Sequence, residues 1–284
     1  MTVQVLHPDA LLRIGATVTI DDRLSWRAPG VTGTEPISAY LVLDDSAAVL
    51  VYTGVAAHRE AVLDGVRGSL GGRSLSILID RNEPDVVGNM RALLDGFDVQ
   101  TIWYAGAGQI LHWFEHDGDG PYSGHAQLKY LMPRGPNHLP SVYGDRPDRV
   151  VLPSGRTLLL VHTLLTTLGH SWTYDGTTRT LFTGDFLAHG VAGDPGDAVL
   201  NEATDTTTYE LVRDHLFQRL YWIADAHPRP LLDSLDAVFG AHEIDRVAPA
   251  HGCVLEGGRL IAEHLDWVRR AIVEGPGPDT TGGL

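Results

Sequence analysis

Arg81-Asn82-Glu83-Pro84-Asp85-Val86-Val87-Gly88 is the stretch on which the reading of this chain turns. It follows SLSILID (74–80), an apolar run of strand length, and it opens Glu83–Leu94, whose composition is that of a loop passing into a helix. Charged side chains placed directly after a buried strand sit where loops leave a sheet edge and can converge. Three later segments repeat the arrangement: Leu168-Gly169-His170-Ser171, Thr183-Gly184-Asp185 and Ala248-Pro249-Ala250-His251-Gly252. Each is weak alone; their order and spacing together are distinctive.

Outward from the loop, strands and helices alternate. Residues 37–55, ISAYLVLDDSAAVLVYTGV, read as a hairpin turning at Asp44, Asp45 and Ser46, followed by a helix over 58–66. Val99–Tyr104 is a strand. Residues 106–147 are rich in Gly, Pro, His and Asp and break the rhythm, so they read as an insertion over the site. RVVLPSGRTLLLVHT is a second hairpin around Pro153-Ser154-Gly155, and TRTLFTGD is the strand before Asp185. Helices are expected over 206–226, with Leu211, His215, Leu216, Leu220 and Ile223 on one face, over 233–239 and over 260–272, and a short strand over 246–249 leads to His251. The expectation is one α/β domain over 1–274 and a disordered tail over 275–284.

The 284 residues include 36 acidic and 21 basic side chains, a formal charge of −15, with 43% hydrophobic composition. Length and apolar content suffice for a single large core. The acidic balance, with no Lys or Arg run, argues against nucleic acid and anionic membranes. No apolar stretch approaches the ~20 residues that span a bilayer. The start of the chain lacks the basic and apolar regions of a signal peptide, so a cytoplasmic protein is expected. Cys253 is the single cysteine, so any metal must be held by His, Asp and Glu, and the chain has 14 histidines.

The four segments resemble the metallo-β-lactamase superfold and, within it, the diiron domain of flavodiiron proteins. That family has a His-x-Glu-x-Asp-His-x-Gly loop, a later histidine, an aspartate ending a strand and a terminal Pro-x-His-Gly. Glu83, Pro84, Asp85 and Gly88 match the loop, His170, Asp185 and His251 match the later positions, and ISAYLVLDD resembles the family's opening strand. The resemblance covers roughly residues 30–260 and implies a four-layer αβ/βα sandwich. It also implies that Glu83 and His170 hold one metal, that Asp85 and His251 hold the other, and that Asp185 bridges them. Imidazole and carboxylate together suit iron, manganese or zinc and leave positions open to dioxygen or water. The chain ends where a flavodoxin domain would begin, so no flavin is expected on it.

The departures carry as much information. Arg81 stands where the family has its first histidine ligand, and a guanidinium has no lone pair to offer a metal. Val86 stands where the family has its second loop histidine. Arg81 could replace the charge of a lost cation or anchor an anionic substrate. Three states follow: two metals with a thinned first site, one metal at Asp85, Asp185 and His251, or no metal with Arg81 paired to the acids. A separate motif, His112-Trp113-Phe114-Glu115-His116, fits H-x-x-E-H, but Gly118 and Gly120 follow at once and no third ligand is evident. It reads better as an amphipathic helix end. His125 and His138 could reach over the site as proton donors.

The reading favoured by the resemblance is a non-haem iron oxidoreductase, mono- or dinuclear, that binds dioxygen or nitric oxide and takes electrons from a separate donor or from its substrate. The second is a zinc hydrolase of an ester, thioester or lactone, with Arg81 gripping the substrate. The third is a non-catalytic sensor or binding domain with a degenerate metal site. A homodimer is expected by family analogy and base rate.

Overall fold

The computed structural model describes residues 2–20, 27, 30–106, 126–134, 146–166, 171–192 and 196–277. His170 and the histidines at 112, 116, 125 and 138 lie outside them, as do most of the expected insertion and the tail from 278 onward. The chain divides into two compact units. One comprises Met1–Ala16, Ile37–Leu160 and Leu168–Ser171; the other comprises Thr17–Pro36, Val161–Thr167 and Trp172–Leu284.

The first unit is built on a sheet in the order β1-β2-β3-β4-β5-β6-β7: Thr2–His7, Leu11–Ile20, Gly33–Leu43, Ala47–Val51, Ser74–Ile79, Val99–Tyr104 and Gln127–Tyr130. The hairpin expected at 37–55 is present, with Tyr40 opposite Val51 and Leu43 opposite Ala48. From Glu35 to Leu43 β3 is buried without alternation, the pattern of a strand covered on both faces. The pairs β4–β5 and β5–β6 are parallel and therefore need helical crossovers. α1 (Arg59–Leu70), stopped by Gly71 in the left-handed region (φ 58), supplies the first; α2 (Pro84–Val87) and α3 (Met90–Gly96) supply the second. Two strands before the hairpin, β1 and β2, carry no turn signal that the sequence reading used. β7 lies inside the span expected to be an insertion: Gln127–Tyr130 pairs in parallel with Thr101–Tyr104, so that stretch is sheet. The second expected hairpin is β8 (Arg149–Val151) with β9 (Thr157–Val161).

The second unit carries strands in the order β12-β14-β13-β11-β10: Val199–Leu200, Val254–Glu256, Arg246–Pro249, Thr180–Gly184 and Trp172–Asp175. β10, missing from the sequence reading, pairs antiparallel with β11, and β11 runs parallel to β13. That parallel pairing puts the ends of β11 and β13, and hence Asp185 and His251, at the same edge. α4 (Tyr209–Arg219) starts at Thr208, whose side chain accepts from the Leu211 amide. Its inward face is Tyr209, Val212, His215, Leu216 and Phe217, so Val212 takes the core position expected of Leu211. α5 (Pro228–Ala241) is longer than expected because Pro228 and Pro230 occupy the first turn, where proline costs no hydrogen bond. α6 (Gly258–Glu274) buries Leu260, Ile261, His264, Leu265, Val268, Ala271 and Ile272, the spacing of one helical stripe. Of the tail expected to be disordered, Gly275–Gly277 are placed, and Gly277 is buried. Among the described residues no helix is long and apolar enough to cross a membrane.

Candidate metal centre

In the first unit the loop 81–88 is held rigidly from both sides. Tyr52, in the left-handed region (φ 63), donates its hydroxyl to Asp80 at 3.2 Å, and Tyr104 donates to Asn82 at 2.7 Å. Thr53 donates to the Val86 carbonyl at 2.8 Å, and the Asn89 side chain donates to the carbonyls of Thr53 and Val55. Val86 is fully buried, so the position that holds histidine in the resembling family is here part of the apolar core. Arg81 is 2% exposed; its Nη2 donates to Asp85 Oδ2, and its Nε lies 3.5 Å from Glu83 Oε2. The guanidinium is thus paired with both acids that the resemblance assigns to metals. Buried carboxylates need such a partner, and a charged hydrogen bond is among the strongest available.

In the second unit the expected residues Asp185 and His251 are brought together. Gly184 (φ 63) turns the chain at the end of β11, and Thr183 closes the turn by donating to the Phe186 carbonyl at 2.7 Å. Leu187, two residues on, is held at φ 54, a strained conformation of the kind stored at functional turns. After β13, Ala250 donates its amide to the Gly184 carbonyl at 2.9 Å and Gly252 donates to the Pro36 carbonyl at 2.8 Å. Gly252 has φ 82, and a Cβ there would sit 2.2 Å from the Ala188 carbonyl oxygen, so only glycine fits. With the backbone fixed in this way, His251 Nε2 lies 3.0 Å from Asp185 Oδ1 and His251 Nδ1 lies 2.9 Å from Glu35 Oε1.

Three residues absent from the sequence reading complete this arrangement. Arg27 donates to Glu35 at 2.6 Å and to the carbonyls of Ala188, His189 and Gly190 at 3.0, 2.9 and 3.3 Å. Arg219, at the end of α4, donates to Asp185 Oδ2 at 2.8 Å. The result is a buried chain of alternating charge, Arg27–Glu35–His251–Asp185–Arg219. Burial pushes the Glu35 carboxyl up, but the hydrogen bond and charge of His251 and the Arg27 guanidinium outweigh it, and its pKa falls to about 2. Burial pulls His251 down, yet its hydrogen bonds to Asp185 and Glu35 raise it above its ordinary value. Glu35 is ionised at neutral pH and accepts from Nδ1–H, which leaves Nε2 as the nitrogen with a usable lone pair when the ring is neutral. A carboxylate holding the far nitrogen is the support that metal-binding histidines ordinarily have. Asp185 and His251 therefore fit a cation. The loop 81–88 does not fit the first of two metals, because its nitrogen donors are gone and Arg81 is paired with Glu83 and Asp85.

Sequence alone offered one signal for these additions: Glu35 immediately precedes Pro36 and the apolar run of β3, an acid at the threshold of a buried strand. Arg27 and Arg219 stand in unremarked surroundings, and nothing in their spacing marks them.

Comparisons with known proteins bear on the family and the fold. The model of the metallo-beta-lactamase superfamily matches residues 84–251. No curated protein matches the sequence. Among solved structures, rubredoxin oxygen:oxidoreductase from Desulfovibrio gigas aligns over 97% of this chain at 15% identity with a TM-score of 0.70. This chain spans only 63% of that protein's length. A fragment of a putative diflavin flavoprotein from Nostoc sp. PCC 7120 aligns over 96% of this chain and 97% of its own, at 16% identity and a TM-score of 0.66. The chemotaxis sensor ODP of T. denticola, solved as a peroxy diiron species, aligns over 94% of this chain and 93% of its own, at 17% identity and a TM-score of 0.57. At these identities the structural likeness establishes the fold, which is the α/β fold that the loop led us to expect. With its family model matched from Pro84 to His251, more than half of its length, the chain belongs to the metallo-β-lactamase superfamily.

Proposed function

We propose that the chain is a non-haem iron domain that holds a single metal ion and binds a diatomic gas, dioxygen or nitric oxide, with electrons supplied by a separate donor. Its ligands in the second unit are Asp185 and His251; Asp85, from the order of the family's ligand positions, is the third. The observation that carries this reading is the Glu35–His251 pair, which commits Nδ1 and presents Nε2 on the side of Asp185. Arg81 takes the place of the second cation: its charge is spent on Glu83 and Asp85. Iron, when bound, supplies one-electron chemistry and open coordination positions. Glu35 fixes the imidazole tautomer and Arg219 fixes the Asp185 carboxylate, so neither ligand has to reorganise. Manganese or zinc could occupy the same donors, and zinc would turn the reading toward hydrolysis.

A sensing role is the second reading. A chemotaxis sensor of nearly the same length has this fold, and a buried arginine on the acids reduces the capacity for two-electron turnover to that of one metal. A cytoplasmic location and a homodimer belong to both readings. Elemental analysis of protein produced with iron and zinc both supplied tests the proposal. About one iron per chain, lost in Asp185→Ala and in His251→Ala, supports it; an optical band that shifts on exposure to oxygen or nitric oxide extends it. Zinc in place of iron supports the hydrolase, and a metal-free chain overturns the proposal.

A further inference from the structure

Among the buried histidines of the second unit that the metal reading does not use, His189 and His264 are wired together. His189, on the turn after β11, places Nε2 at 2.8 Å from Nδ1 of His264 on α6. His264 in turn places Nε2 at 3.0 Å from Asp205 Oδ2, and Thr207 donates both its amide and its hydroxyl to the other Asp205 oxygen. His189 and His264 are almost wholly buried, whereas the Asp205 side chain is 10% exposed. An ionised Asp205 only accepts, so His264 carries its proton on Nε2 and offers Nδ1 as acceptor; His189 then carries its proton on Nε2. The tautomers of both rings are dictated from the carboxylate end, and Nδ1 of His189 is left as the basic nitrogen of the pair.

His189 also lines a cavity of ≈ 10 Å³, room for about one water, whose polar lining is Asp185, His189, His215 and Arg219. His215 is buried, and neither of its ring nitrogens has a hydrogen-bond partner among the described residues. A polar group so placed needs a water or small ligand. The cavity therefore has polar groups on its wall, among them both a proposed metal ligand and the wired histidine.

We propose that His264, held by Asp205, is an internal acid–base group that serves the cavity beside Asp185 through His189. The step balances as a pure proton transfer. His189 Nδ1 takes a proton from a donor in the cavity and passes its Nε2 proton to His264 Nδ1. His264 becomes an imidazolium paired with the Asp205 carboxylate, and the reverse shift returns the proton to the cavity. The groups that bear on the pair are Asp205 on His264 and, on His189, burial first, then a charge on His264 or His215 and the Arg27 guanidinium, all of which oppose its protonation. His189 is thereby kept neutral, as is His215, which burial also holds well below its ordinary value. The Trp267 ring stacks on His264 at 5.0 Å between centroids, on the same helix. His189 is thus a relay and His264 the store. The purpose of the device rests on the metal reading above; its existence does not.

The test uses the full-length, metal-free chain labelled with nitrogen-15 in its histidine rings. At high pH both rings are expected in the Nε2–H form. As the pH falls, His264 becomes an imidazolium and His189 switches to the Nδ1–H form at one shared midpoint, while in Asp205→Asn that midpoint drops by at least about one pH unit. Asp205→Glu, which restores a carboxylate, is expected to restore the midpoint. A His189 ring that keeps its tautomer while His264 titrates, or an Asp205→Asn midpoint equal to that of the parent, overturns the proposal. If Asp205→Asn does not fold, the tautomer switch of the parent protein decides alone. Because no metal is present, a negative result here leaves the metal reading standing, and loss of the metal reading leaves this result standing.

Discussion

The loop 81–88 and the Glu35–His251–Asp185 group are two halves of one family pattern, and they have diverged in opposite directions. In the loop, the two histidine positions of the family are gone: Arg81 supplies a permanent cation and Val86 joins the core, and Asp85 alone is proposed to keep a ligand role. In the second unit the two proposed ligands are present and supported, with a carboxylate behind the histidine and a guanidinium behind the aspartate. Compensating a carboxylate and coordinating a metal are separable jobs. The chain does the first with arginine in both places, and the second is proposed to rest mainly on Asp185 and His251.

The sharpest way to break the comparison is to remove Arg27. Arg27→Met deletes the ion pair with Glu35 and the hydrogen bonds to three successive carbonyls. It should cost about 3–5 kcal/mol, as loss of one partner of a buried pair does, read from urea unfolding of the metal-free protein. Acid provides the next test. Glu35 has its pKa lowered from 4.5 to about 2, so its stabilisation is present above pH 4.5 and is lost as the pH falls toward 2. The span corresponds to about 3 kcal/mol. Glu35→Gln should flatten that part of the stability profile. His251 adds a slope of the opposite sign: its raised pKa stabilises fully below pH 6.5 and is lost as the pH climbs through the higher folded value.

Two smaller effects sharpen the difference between the halves. Glu35→Gln keeps the shape of the support but not its charge and should weaken metal binding by about 10- to 100-fold, measured by competition with a chelator. The same conservative change at Glu83, which is paired with Arg81, should leave metal affinity within about threefold if the loop has given up its metal. Finally, Arg81→His combined with Val86→His should raise the bound iron from one toward two per chain. A count that stays at one would mean that the loop's backbone, and not only its side chains, has left the family geometry.

The α/β class was legible because β3 to β6 carry long apolar runs with clean turn residues between them, and because Asp185 and His251 each close a strand. β1, β2 and β10 were not: each is a mixed-polarity run whose burial depends on neighbours distant in sequence, as with Arg13, an arginine that is 1% exposed and donates to Ser38. The same reason hid Arg27 and Arg219. A guanidinium that will be buried looks identical in sequence to one on the surface, and only the acid it meets, eight residues away for Arg27 and 34 for Arg219, distinguishes them. His189 and His264 were invisible individually because each sits at an ordinary core position of its element.

The glycine after His251 has a consequence for how this site can change over time. Its backbone conformation and the oxygen of Ala188 close position 252 to every side chain, so a library randomised there should return the parent residue alone. Histidine at 251 stands beside a position with no neutral neighbours in sequence space. The backbone at positions 81 and 86 carries no such lock, so what holds Arg81 and Val86 in place is what their side chains touch: two carboxylates for the one and the apolar core for the other.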